Sequence, residues 1–176
     1  MKKFKIYNLK FINIAQKGMS LIEILVVMTI FAVLGILVTQ SIVLTLQGSK
    51  KSESMVRARE NLDYSLSIIE RQIRSASSVT PCTGLPVTAI NYLDQSGQTG
   101  SFSCQQMGSN NSYIASGSAH LTSNAVKVTS CIFTCTAGTM TTPTLVTVDL
   151  ALKEASASGI QSASVSASTQ IYLMNY

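Results

Sequence analysis

The chain has 176 residues, a formal net charge of +5 and four cysteines, a length that allows one domain plus a tail. The charge hints at nucleic-acid binding, but Lys2, Lys3, Lys5, Lys10 and Lys17 all precede Gly18, where no acidic residue lies. Beyond Gly18 the chain holds 8 basic residues (13 − 5) and 8 acidic ones, with no basic patch interleaved with aromatics, which sets a nucleic-acid surface aside.

Residues 1–18 read as a leader held on the cytoplasmic side by the positive-inside bias. From Met19 to Leu46 the chain reads MSLIEILVVMTIFAVLGILVTQSIVLTL, with Glu23 its one charged residue. About 20 apolar residues cross a bilayer as a helix. No small-x-small cleavage site follows Val38, so the run reads as a retained anchor with the C-terminal part outside. A carboxylate at the middle of the bilayer costs roughly 2.5–3.5 kcal/mol on insertion scales, so Glu23 calls for a partner. The bland alternative puts Glu23 at headgroup level near the helix N-terminus, where the dipole favours an acid.

The helix is expected to begin near Ser20 and to continue past the membrane surface. Met55, Ala58, Leu62, Leu66, Ile69, Ile73 and Ala76 recur in steps of three and four, one face of an amphipathic helix. Glu53–Arg57 and Glu70–Arg74 stand four apart on the polar side with the acid first, the better orientation for a helical ion pair. One helix over about 20–76 follows, with Gly35 and Gly48 as points where it could bend. The organisation expected is a leader over 1–18, a transmembrane helix over 19–48, its amphipathic continuation over 49–76, and an extracytoplasmic β-rich head over 77–176.

After Ser77 the composition turns to Ser, Thr, Gly and Asn, and VTPCTGLP reads as loop. Strands are expected at 89–94, 101–106, 112–115, 120–122, 125–135, 145–152 and 169–176. AVKVTSC and LVTVDLAL alternate apolar and polar residues as half-buried strands do, and TAGTMTTP joins them like a hairpin loop. The small, polar stretch between Lys153 and Gln170 suits a loop or an edge strand. One sheet on the apolar half of the helix gives an α+β head.

Cys82, Cys104, Cys131 and Cys135 all fall in the part expected outside, where an even count suggests disulfides. Three pairings are open. In a continuous strand Cys131 and Cys135 lie about 13 Å apart on one face, beyond the reach of a bridge, so each would need Cys82 or Cys104 unless the chain bends. A C-x3-C with no nearby His is weak ground for zinc, and no metal or cofactor is expected. Lone His120 lies in a polar loop context, and Asn110-Asn111-Ser112 matches a glycosylation pattern that carries little information in a Ser/Asn-rich segment. No Ser-His-Asp set, phosphate-cradling glycine loop or paired carboxylates at helical spacing stands out, so an enzyme is not expected.

The N-terminal block resembles that of the type IV pilins and the pseudopilins of type II secretion. Their signature is a basic leader, a glycine, a cleavage point and a long apolar helix with glutamate at its fifth residue. Here KG is followed by MSLIEILVVMTIFAVLGILV, which sets Gly18 before the cut, Met19 at the new N-terminus and Glu23 at the fifth place. The resemblance covers about residues 14–48 and implies that the helix over 19–48 is also a filament-core helix. It implies cleavage by a prepilin peptidase, N-methylation of Met19, and assembly in which Glu23 meets the N-terminal amine of a neighbouring subunit. It also implies other pilin or pseudopilin subunits, an inner-membrane assembly platform and membrane lipid as partners, with nucleic acid only in a DNA-uptake role. Methionine stands where phenylalanine is usual, and Gln40 where major pilins often carry a proline. The second departure leans toward a minor pilin or pseudopilin, with the helix-end IIERQIRSASSV and the C-terminal TQIYLMNY loosely similar to J/W-type minor subunits and other pseudopilins. The alternatives are a type II secretion pseudopilin or a single-pass anchored binding module that never polymerises.

Overall fold

The computed structural model describes residue 18, residues 20–156 and residues 162–174. The leader through Lys17, part of the Ser/Ala stretch at 157–161 and the last two residues of the expected C-terminal strand lie outside the described residues. The described chain forms one long helix, α1 (Leu21–Arg74), followed by nine strands. They are β1 (Ser78–Thr80), β2 (Pro86–Val87), β3 (Ala89–Leu93), β4 (Thr99–Gln105), β5 (Tyr113–Ser116), β6 (Ala119–His120), β7 (Val126–Thr136), β8 (Leu145–Glu154) and β9 (Ser164–Tyr172). This is an α+β layout with a long N-terminal helix and antiparallel C-terminal sheets.

Two compact units are present, Met1–Val43 and Leu44–Tyr176. In the first, α1 is apolar on every side and its large side chains are exposed, Leu21, Ile24, Leu25, Phe31, Leu34 and Leu37 among them. A helix apolar all round belongs in a nonaqueous setting, and this one is long and apolar enough to cross a membrane. Its hydroxyls bond to its own backbone: Thr29 Oγ1 donates to the Val26 carbonyl and Thr39 Oγ1 to the Gly35 carbonyl, both at 2.8 Å. Helical structure runs through Gly35 and Gly48.

In the second unit α1 buries Ser54, Ala58, Leu62, Ser65, Ile69 and Ile73. The expected stripe is therefore displaced at its edges. Met55 is 42 % exposed and Leu66 half-buried, while two serines sit inside. Serine is small enough to let the helix approach the sheet, and Ser65 Oγ satisfies itself by donating to the Asn61 carbonyl at 2.7 Å. Ser54 Oγ is buried without a hydrogen-bond partner among the described residues.

The strands make two sheets rather than the one expected. Their orders are β1-β3-β4-β5-β6 and β2-β7-β8-β9, with every pair antiparallel. The β5–β6 ladder ends where Thr122 Oγ1, a side-chain oxygen, accepts the Ile114 N–H at 3.2 Å. Across the seam Val128 N–H donates to the Ser112 carbonyl and Ser112 Oγ to the Val128 carbonyl, at 3.3 and 2.7 Å. The β7 register shifts between Val128 and Ser130, at the same place.

Two further differences come from short-range chemistry. The segment expected as loop before Val87 holds β1 and β2, each recruited by a longer partner, β3 and β7. The small polar stretch becomes edge strand β9, paired with β8 from Lys153↔Ser164 to Leu145↔Tyr172 without a shift. Its exposed serines alternate with partly buried Val165, Ala167 and Thr169, so period-two patterning survives although the side chains are small.

The core lies between α1 and the sheets, around fully buried Ile69, Ile73, Ile90, Phe102, Ile114, Phe133, Val148 and Leu150. Two backbone bonds close the end of β9: Leu173 N–H to the Thr144 carbonyl at 3.0 Å and Met174 N–H to the Arg74 carbonyl at 3.2 Å.

Candidate processing and assembly site

Ser20 begins the site. Its carbonyl accepts the N–H groups of Glu23 and Ile24 at 2.9 and 3.3 Å, which starts the helix. Ser20 thus takes the N-cap place, with Glu23 three residues on in the first turn. Ser-x-x-Glu is the capping-box spacing, a signal local to the helix start. The positive end of the helix dipole favours an acid there.

Glu23 is exposed among exposed apolar neighbours, and none of the ion pairs among the described residues includes it. Gly18 is exposed, with open space where a Cβ would stand. Met19, the expected new N-terminus, lies outside the described residues. Chemically the arrangement is a long apolar packing surface with one carboxylate near its start. It offers shape, apolar area and a single charge.

The cysteines sit far along the chain. The structure pairs Cys82 with Cys135 and Cys104 with Cys131, with Cα separations of 4.6 and 6.0 Å. Strand β7 is continuous through both Cys131 and Cys135, so each takes an upstream partner. Cys104–Cys131 ties β4 of one sheet to β7 of the other, and Cys82–Cys135 clamps the loop after β1 to the end of β7. None of the four remains as a thiolate for a metal.

The other singled-out residues have local roles. His120 stacks on Tyr113 with ring centroids 3.6 Å apart. Asn110 Oδ1 accepts a hydrogen bond from Lys127 Nζ at 2.8 Å. Glu53–Arg57 and Glu70–Arg74 form the expected helical ion pairs, and Arg57 also reaches Glu154 at 4.0 Å. The Asp94 carboxylate lies below the usual carboxylate range because it accepts bonds first from the Ser96 side chain and then from the Gln98 backbone. Burial, with Asp94 nearby, raises the Tyr92 hydroxyl above its ordinary value.

Residues 14–39 match the family model described as the prokaryotic N-terminal methylation motif. The chain therefore carries the N-terminal signature of type IV pilins and pseudopilins, and the match spans Gly18, Met19 and Glu23. The motif, together with a single N-terminal apolar helix, fits a membrane-anchored protein and implies prepilin-peptidase processing and assembly with other pilin subunits. No curated protein and no solved structure matches the chain.

Proposed function

From an N-terminus of the type IV pilin and pseudopilin kind, we propose that this chain is a structural, non-enzymatic subunit, a minor pilin of a type IV pilus-like filament. A prepilin peptidase cuts between Gly18 and Met19 and methylates the new amine. The cut chain waits in the cytoplasmic membrane as a single-pass protein with its head outside. An inner-membrane platform then moves it into a cell-surface or periplasm-spanning fibre. The two disulfides support an oxidising, extracytoplasmic home for the head.

The observation that carries this reading is the motif match over 14–39, with glutamate at the fifth residue after Gly18. Cutting creates a cation at Met19. Two unit charges about 4 Å apart attract by roughly 4 kcal/mol at an effective dielectric of 20. That is close to the cost of placing the carboxylate in lipid, so pairing offsets the cost and leaves little surplus. Glu23 thus sets register between subunits, while apolar helix packing supplies most of the association. The uncut leader, with Lys17 beside the junction, blocks the pairing.

Glu23→Ala should leave membrane insertion intact and lower recovery in sheared filaments. Normal incorporation of that variant would remove the register role. Gln40, where major pilins often carry a proline, keeps the pseudopilin reading as the second choice. A mobility shift on coexpression with a prepilin peptidase separates both from an anchored module that never polymerises.

A further inference from the structure

Within the second unit the apolar surface of α1 ends at exposed Leu44 and Leu46. The next charged side chains are Lys50 and Lys51, adjacent and both exposed. The nearest carboxylate along the helix, Glu53, is taken by Arg57 at 2.5 Å. Neither lysine side chain has an ion pair or hydrogen bond among the described residues. Two unpaired ammonium groups thus sit about one helical turn beyond an apolar surface of membrane-spanning composition. Long lysine stems let the charge reach headgroup level while the helix stays in lipid.

We propose that Lys50 and Lys51 bind the phosphates of anionic phospholipids at the end of the apolar run opposite the leader. The commitment to lipid rests on continuity with the apolar surface: headgroup phosphate is the anion held at that depth when α1 spans a bilayer. The contact matters most after processing, a step that rests on the pilin reading. Cutting at Gly18 removes the five leader lysines and leaves Lys50 and Lys51 as the first basic side chains of the mature chain. The first basic side chains beside the bilayer then lie at the outer end of the helix, while the inner end keeps the Met19 amine.

The test uses the full chain reconstituted in vesicles of phosphatidylcholine alone or of phosphatidylcholine with phosphatidylglycerol, before and after peptidase treatment. Amine acylation is followed by mass spectrometry at each lysine, with Lys127 and Lys153 of the head as internal references. Phosphatidylglycerol should slow acylation at Lys50 and Lys51 about fivefold, the equivalent of roughly 1 kcal/mol per basic residue at an anionic surface. High salt should abolish the protection. Equal rates in the two vesicles, or equal slowing at all four lysines, would overturn the proposal. Protection without leader removal would sink the pilin reading alone, and leader removal without protection would sink this inference alone.

Discussion

Removing the Cys104–Cys131 bridge by paired Cys104→Ala and Cys131→Ala substitutions separates covalent from packed cohesion of the two sheets. The bridge closes a loop of 27 residues in sequence, worth about 3.5 kcal/mol in the chain-entropy account. That figure is a ceiling, because the Cys82–Cys135 bridge encloses the same segment over a separation of 53 and already confines the unfolded chain. The seam holds few other directed bonds, chiefly those between Ser112 and Val128. The double substitution should therefore destabilise the head by about 2–3.5 kcal/mol. Urea unfolding of the detergent-solubilised chain, followed by near-ultraviolet circular dichroism of the head tyrosines, reads the loss. A change under about 1 kcal/mol would refute the reasoning, because packing and two hydrogen bonds would then suffice to join the sheets.

Three further outcomes follow from the head. Gly100→Ala places a methyl group where the Tyr92 ring lies, displacing that ring from Gln72 Oε1 at 2.6 Å and from Phe102 at 5.3 Å. It should cost about 1–3 kcal/mol in urea unfolding. Tyr92→Phe removes only the hydrogen bond and should cost about 1 kcal/mol in the same assay. Asp94 has a lowered folded pKa, so its contribution to the β3–β4 turn is present above the ordinary value of 3.8 and is lost as pH falls through the lower folded value. The Ser96 and Gln98 amide resonances should move together in that acid window, and Asp94→Asn should abolish the movement.

Much of the architecture was legible because it is periodic. Steps of three and four placed the helix, and alternation placed β7 and β8, since each element must bury one face. Partner choice was less legible. Nothing local to Thr122 announces that its hydroxyl will accept the Ile114 N–H at the end of the β5–β6 ladder, and nothing local to Ser112 announces that two sheets will meet there. The burial of Ser54 and Ser65 does not show in apolar periodicity, because serine is polar by composition and, for Ser65, its hydroxyl is satisfied by its own helix. Spacing kept Cys131 and Cys135 apart along a continuous strand, but the choice between Cys82 and Cys104 required the register of β7 against its neighbours. At the N-terminus the reverse holds: Gly18 and Glu23 stand out in sequence as a pattern that a single folded chain has no occasion to use.

The central claim is that a freed amine at Met19 gives Glu23 its place in an assembly. Mass spectrometry of the mature N-terminus, from chain recovered from membranes that contain a prepilin peptidase, tests it most directly. The account predicts a chain starting at methylated Met19. An intact Met1, or a start elsewhere, would contradict it.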